Sequence, residues 1–300
     1  MGLRPRGEGP ELSYVAGGDP GCGLTMEDLR VAAVSMLSAI GNKAENLSRM
    51  ESLVRKAVQS GAQAVCFPEL NISGYSLKKN QAGIAEAIPG PSSEAVWQMA
   101  QKNEVLILAG LVEKKDGEIF ISHFVASPEG ILGAYRKIHL GTMEEGIFQT
   151  GEECPVFRYR GTSLGIELCF DGHFPELSTI LALKGAEIIF IPHASPRESG
   201  DEKRGRWLRY LSARAYDNSV FVVACNPTGK TENGFVFPGA GVILDPKGEV
   251  LAFSQGEEEE LVHGALRKEA LLKVRDNPHG FFLNRRRPEI YRQAAEKWRK

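Results

Sequence analysis

Cysteine is scarce and scattered in this chain. Five occur in 300 residues, Cys22, Cys66, Cys154, Cys169 and Cys225, and no two stand at CxxC spacing. That argues against a zinc site and against a dense disulfide framework, and a reducing cytoplasm is the compartment that fits. Histidines are also few, and His139, His173 and His193 form no HxxxH or HxH pair, so no metal is expected. Residues 1–25 are rich in glycine and proline and lack the uninterrupted apolar stretch of a signal peptide or membrane helix. They read as a flexible leader, with Met26 as an alternative start. A large excess of one charge sign is missing too. A formal net charge of -2 leaves no global field to hold nucleic acid or an anionic membrane. No Gly-rich phosphate loop is evident, so no ATP-binding domain is expected. The partner implied is a small molecule.

What is present suits a globular protein. With 42% hydrophobic residues the chain can bury one large core or two modest ones. A short apolar run at 30–37 is followed by Ala44, Leu47, Met50, Leu53, Val54, Ala57 and Val58 at helical spacing, closed by Gly61, which predicts a strand and an amphipathic helix. Strands are expected at 64–67 and 105–112, with a helix at 92–102 between them. Turn signals at Asp116-Gly117 and Pro128-Glu129-Gly130 then separate extended runs at 118–126 and 131–136, which predicts antiparallel hairpins. Further strands are expected at 163–168, 187–192, 220–224, 241–244 and 249–253, and helices at 175–184 and 204–216. Strands alternate with helices but hairpins interrupt them, so the sheets should be mixed. Beyond 268 the chain turns charged and irregular, with Arg285-Arg286-Arg287 its most basic stretch, expected as a tail packed on the domain of 26–267 or on a second subunit.

Three distant segments each present one reactive residue at the end of an apolar run: Phe67-Pro68-Glu69-Leu70, Tyr135-Arg136-Lys137-Ile138-His139-Leu140 and Leu168-Cys169-Phe170-Asp171-Gly172-His173-Phe174-Pro175-Glu176. Together they supply a carboxylate base, a fixed cation and a thiol nucleophile. An ordinary thiol, of pKa about 8.5, is mostly protonated at neutral pH, so a nucleophilic cysteine needs a neighbour that takes its proton or stabilises its charge. An isolated cysteine is more often a buried, inert one. Cys22, Cys66, Cys154 and Cys225 fall in that class, whereas the strand-to-turn setting of Cys169 favours exposure above a sheet edge. His173, four residues after Cys169, is a rival base.

The order Glu, Lys, Cys and the words around each residue resemble the nitrilase superfamily of carbon-nitrogen hydrolases. The resemblance runs from about residue 29 to about residue 267 and includes Ala213-Arg214-Ala215-Tyr216-Asp217-Asn218. It implies an α/β fold, a four-layer α-β-β-α sandwich of two mixed sheets, with subunits paired through the outer helices as a homodimer or higher homo-oligomer. It also implies a cofactor-free hydrolysis of a small amide through a thioester on Cys169. In that scheme Glu69 is the base, and Lys137 with the Phe170 N–H stabilises the oxyanion. Glu144 is the supporting glutamate, with adjacent Glu145 its alternative. His173 lines the pocket, and the loop from His193 to Arg197 lies on its acyl side, with Arg197 as a candidate for a substrate carboxylate.

Two departures from the family stand out. Glu167 shares a strand face with Cys169 where many relatives carry an apolar residue, and an ionised neighbour would raise the thiol pKa, so Glu167 must be paired or turned away. His173 stands where relatives acting on N-carbamoyl amino acids place an arginine, which weakens that assignment. Nitrilase and N-carbamoyl-amine hydrolase activity remain alternatives on the same triad. A glutaminase subunit would need a partner chain. A thiol redox or binding protein is the alternative of another class, and the presence of Glu69, Lys137 and Glu144 together argues against it.

Overall fold

The structure, a computed structural model, describes residues 26–78, 81, 83–196, 198–254 and 258–297. The leader read at 1–25 and Arg197 therefore lie outside the described residues. The chain begins with β1 (Leu29–Ser35), α1 (Lys43–Gln59), β2 (Ala64–Cys66) and α2 (Pro91–Asn103), then β3 (Leu106–Lys115), β4 (Glu118–Ser127) and β5 (Gly130–Arg136). The Asn42 side chain caps α1 by accepting the Glu45 N–H, while its amide donates to the Glu45 carboxylate. The second half contains β6 (Val156–Tyr159), β7 (Thr162–Ile166), α3 (Pro175–Leu183), β8 (Ile188–Pro192), α4 (Gly200–Asn218) and β9 (Phe221–Cys225). It continues through β10 (Thr228–Lys230), β11 (Val236–Pro238), β12 (Gly241–Leu244), β13 (Val250–Phe253), β14 (Glu260–Leu266), α5 (Lys268–Arg275) and α6 (Pro288–Lys297).

Two six-stranded sheets form, in the orders β14-β1-β2-β3-β4-β5 and β13-β12-β9-β8-β7-β6, with β10 and β11 as a separate ribbon. Each sheet has a parallel centre, β1-β2-β3 in one and β7-β8-β9 in the other, and antiparallel flanks, so both are mixed. The layering follows from the strand period of two. In β1, Ala32 and Val34 pack with Met50, Leu53, Val54 and Ala57 of α1, while Val31 and Ala33 join the central core. In β9, Val222 and Ala224 pack with Trp207, Leu211 and Ala215 of α4, while Phe221, Val223 and Cys225 join that same central core. Strands apolar on both faces are what a sheet covered on both sides requires. The result is the four-layer α-β-β-α sandwich.

Several elements lie outside the sequence expectation. The α4 helix starts at Gly200 rather than 204, because Ser199 and Glu202 form a reciprocal capping box. Short β6 and edge strand β14 were not anticipated, the latter because the acidic run 257–260 obscures the inward Val262 and Leu266 that follow. The stretch beyond 268 holds two helices, α5 and α6, joined by an irregular segment, where only irregular chain was expected. Its charge hides an apolar stripe: Leu271 and Val274 are buried, and the Arg275 guanidinium donates to the carbonyls of Ser219 and Ala186 at 3.1 and 2.9 Å. Arg285, Arg286 and Arg287 are exposed, with Arg287 paired to Glu289 and Arg286 over the Tyr291 ring.

Leu271 is fully buried against the central core. Leu271→Ala should therefore lower unfolding free energy by about 3 kcal/mol in urea titration. A loss within about 0.5 kcal/mol, the range of ordinary surface substitutions, would show that α5 is not part of the core.

Candidate active site

Glu69, Lys137 and Cys169 leave from the ends of different strands and converge. After β2, Phe67 still donates to Leu108 O, and Pro68 then turns the chain so that the Glu69 N–H reaches His193 O at 3.1 Å. The following Leu70 adopts a left-handed φ of 55°. Lys137 follows β5 with its backbone held on both sides, its N–H on Ile121 O at 2.9 Å and its carbonyl accepting the Gly151 N–H at 2.7 Å. A Cβ on Gly151 would stand 2.2 Å from Arg136 O, so only glycine permits this approach.

The Lys137 ammonium lies 2.8 Å from Glu69 Oε1 and 2.8 Å from Glu144 Oε2. Glu144 is fixed in turn: its Oε2 accepts the Gly141 N–H at 2.8 Å and its Oε1 the Tyr75 hydroxyl at 3.2 Å. Glu69, Lys137 and Glu144 are at most 4% exposed. One cation thus serves two buried carboxylates. Burial, reinforced by Glu144 and opposed by Lys137, raises Glu69 to about 7. Burial works against the ammonium, but the two carboxylates prevail and hold Lys137 well above its ordinary value. Glu69 Oε2 is buried without a hydrogen-bond partner among the described residues.

Cys169 opens a 3-10 turn, Cys169–His173, with a left-handed φ of 46°, a strained conformation for a non-glycine residue. Asp171 braces that turn. Its carboxylate accepts the Leu168 N–H at 3.0 Å, the Tyr135 hydroxyl at 2.7 Å and the His139 N–H at 2.8 Å, which ties the Cys169 turn to the segment carrying Lys137. Burial pushes the Cys169 thiol up to about 12, Glu69 adds to the rise, and Lys137 and the Ala194 N–H on the sulfur oppose it. The resting thiol is therefore protonated, with a near-neutral carboxylate as its neighbour.

Glu144, and not Glu145, is the carboxylate on Lys137. Phe170 is 38% exposed and packs edge-on against Phe174 and His173. His173 meets the Tyr210 ring at 4.4 Å, and burial, then Arg206 and Arg214, lower its pKa. The His193 ring is buried instead of lining open space. Its Nδ1 lies 2.7 Å from Ile191 O, its Nε2 is 3.0 Å from the Tyr210 hydroxyl, and its ring packs against Trp207 at 4.3 Å with a tilt of 35°. That segment reaches the site through its backbone, by His193 O and the Ala194 N–H. Among the described residues, no group of three or more His, Cys, Asp or Glu could hold a metal, and no helix is long and apolar enough to cross a membrane.

Residues not singled out from the sequence complete the site. Asp171 had a signal in the Cys-Phe-Asp-Gly word and Tyr135 in the segment it opens, whereas Tyr75 and Tyr210 carried none and are brought in by packing. Glu167 is paired, and its surroundings favour the neutral form: the Ser178 hydroxyl donates to it at 2.5 Å, and burial, with Asp171, raises its pKa to about 8. A protonated Glu167 does not oppose the Cys169 thiolate.

Because the folded protein holds a proton on Glu167 that the unfolded chain releases near 4.5, stability should fall as pH rises from about 4.5 to about 8. Glu167→Gln mimics the neutral acid and removes this contribution. Relative to wild type, the variant should gain stability between pH 5 and pH 8, by several kcal/mol at most, in denaturant titrations at each pH. A difference that stays flat with pH would mean that Glu167 is ionised.

The carbon-nitrogen hydrolase family model matches residues 30–275. The chain is 33% identical over 267 residues to a nitrilase of Pyrococcus abyssi, covering 88% of this chain and 99% of that protein. It is 30% identical over 231 residues to an (R)-stereoselective amidase of a Pseudomonas species, covering 77% and 82%. The structure superposes on a carbon-nitrogen hydrolase from Helicobacter pylori with a TM-score of 0.79 at 24% identity, covering 89% and 98% of the two chains. The strand-end convergence, the four-layer sandwich and these similarities have one reading: the chain belongs to the nitrilase superfamily of carbon-nitrogen hydrolases.

Proposed function

We propose that the protein hydrolyses the carbon-nitrogen bond of a small amide through a thioester on Cys169, with Glu69 as base and Lys137 as electrostatic support. The observation that carries this reading is Glu69 itself. One of its oxygens is held by Lys137, the other is buried without a partner, and its pKa is raised to about 7 beside a thiol raised to about 12. A base of that pKa takes a proton and returns it at neutral pH. As sulfur attacks the amide carbon, the thiol proton passes to Glu69, and negative charge on the substrate oxygen is met by Lys137 and the Phe170 N–H. Glu69 gives the proton to the nitrogen, the carbon-nitrogen bond breaks, and ammonia leaves. Glu69 then takes a proton from water, which attacks the thioester. The acid departs and the thiol regains its proton. Glu144 holds Lys137 throughout.

An oligomer of this chain, paired through the outer helices, is part of the same reading. Exposed Ile180 and Leu183 of α3 and Tyr216 of α4 support it. The described cysteines are all free thiols, which supports a cytoplasmic enzyme.

Ammonia release from a panel of aliphatic amides, nitriles and N-carbamoyl compounds is the direct test, with amides expected as the best substrates. Cys169→Ala should abolish turnover and keep the fold, since little volume is removed. Glu69→Gln and Cys169→Ala should each cost several powers of ten in rate, and the losses should not add. Rapid-quench mass spectrometry should find the acyl mass on the Cys169 peptide. Since Glu69 must be ionised to act, kcat/KM should fall as pH drops through about 7. Near-wild-type hydrolysis by either variant would sink the mechanism. Light scattering should return a multiple of the 32.8 kDa chain mass, and a monomer at micromolar concentration would remove the oligomer.

A further inference from the structure

One peptide group joins the base to the nucleophile. The carbonyl of His193 accepts the Glu69 N–H at 3.1 Å, and the Ala194 N–H, on the other side of the same peptide bond, donates to the Cys169 sulfur. A trans peptide is planar, with its C=O and N–H pointing in opposite directions, so the two contacts depend on one orientation. A turn of that plane would take the donor off the sulfur and release the Glu69 backbone.

The plane is clamped on both sides. Before it, the His193 N–H donates to Cys225 O of β9 at 2.8 Å, and the His193 ring is buried. Nδ1 lies 2.7 Å from Ile191 O, and a carbonyl oxygen only accepts, so Nδ1 carries the proton. Burial, with Lys203, His173 and Lys137 adding to it, keeps the ring neutral. Nε2 is then an acceptor, and the Tyr210 hydroxyl donates to it at 3.0 Å. One tautomer satisfies both contacts, with Trp207 packed against the ring. After the plane, the Ser195 N–H donates to Asn226 Oδ1 at 2.8 Å, and Ser195 O accepts the Asn226 amide at 3.1 Å. Ser195 Oγ accepts from Lys203 at 2.8 Å and Arg206 at 3.3 Å.

The sulfur gains negative charge twice in the thioester scheme. It does so when Glu69 takes the thiol proton, and again when attack by water breaks the carbon-sulfur bond and returns the electron pair to sulfur. Glu69 and Glu144 resist that charge, Lys137 favours it, and Tyr75, Tyr210 and Lys203 also interact with it. Lys137 is committed to two carboxylates, whereas the Ala194 N–H is aimed at the sulfur itself.

We propose that the peptide group joining His193 and Ala194 is a catalytic dipole whose N–H stabilises negative sulfur, and that His193, fixed with its proton on Nδ1 between Ile191 O and the Tyr210 hydroxyl, is the residue that positions it. The catalytic part rests on the Cys169 hydrolase reading, whereas the clamp on the sulfur does not.

The test reads the sulfur directly. Alkylation of Cys169 by iodoacetamide, followed on the Cys169 peptide by mass spectrometry from about pH 7 to about pH 10, tracks the thiolate fraction and needs no substrate. His193→Ala should slow it by about tenfold, the worth of a hydrogen bond to a charged group. His193→Asn, whose amide can still donate to Ile191 O, should recover part of that loss. Tyr210→Phe keeps the ring, removes only the hydroxyl, and should slow alkylation by about threefold. With an amide substrate, kcat should fall in step while KM holds, because the donor touches sulfur and not the substrate. A Tyr210→Phe rate equal to wild type, or equal losses in His193→Ala and His193→Asn, overturns the positioning role, and the first of these decides even if His193→Ala does not fold. Unchanged alkylation in His193→Ala of intact thermal unfolding removes the dipole as well. Slowed alkylation in the variants of a protein that hydrolyses no amide would leave the clamp standing and remove the hydrolase reading alone. Unchanged alkylation and unchanged kcat in an active enzyme would do the reverse.

Discussion

A single buried ammonium organises the site. Lys137 lies between Glu69 and Glu144 at hydrogen-bond distance from both, with all three groups withdrawn from water. Burying one charge alone is prohibitive, and removing one member of a buried pair typically costs about 3–5 kcal/mol, because the other is left uncompensated. Three charges of alternating sign are tolerable, but the sum is one negative charge too many. Glu144 is further stabilised by the Gly141 N–H and Tyr75, so the surplus falls on Glu69, whose second oxygen has no partner. The feature that makes Glu69 suitable as a base at neutral pH is therefore a consequence of how the lysine is buried.

The rest of the fold serves to bring these groups together. Two sheets pack face to face with helices outside, and their apolar strands carry no chemistry themselves. Glu69 and Lys137 leave strands of one sheet, and Cys169 leaves a strand of the other. Groups on two sheets need a brace, and Asp171 supplies it by joining the Cys169 turn to Tyr135 and His139 around Lys137. His193 O and the Ala194 N–H add a second connection, from the Glu69 backbone to the Cys169 sulfur. The left-handed backbone of Cys169 persists because these contacts hold it from several sides.

Charge is unevenly distributed around the three converging groups. Glu69, Lys137 and Glu144 together carry excess negative charge, which favours a protonated thiol, while α4 contributes Lys203 and Arg206, paired with Glu198, and Arg214, which donates to Gly172 O of the Cys169 turn. The raised pKa of Glu167, held by Ser178 of α3, disfavours a further buried anion close to Asp171.

Much of this was legible in the sequence, and the reasons are local. Period-two apolar runs and turn residues between them placed most strands, and helical spacing with Gly61 placed α1, because both signals need only neighbouring residues. The words around Glu69, Lys137 and Cys169 were equally readable, since each marks a strand end. Edge strand β14, helix α5 and the first turn of α4 were hidden by charged residues whose apolar or capping partners show only on folding. The sequence by itself determined most strands and helices and that the sheets are mixed, and its resemblance to a known family implied the four layers and which three residues meet. Tertiary structure alone decided their electrostatics: that Glu144 and not Glu145 reaches Lys137, that Glu167 is neutral, that the His193 ring is buried, and that Arg206 stands beside the loop contacting Cys169. Those outcomes depend on distance and burial between residues far apart in the chain, and both quantities exist only once the two sheets have packed.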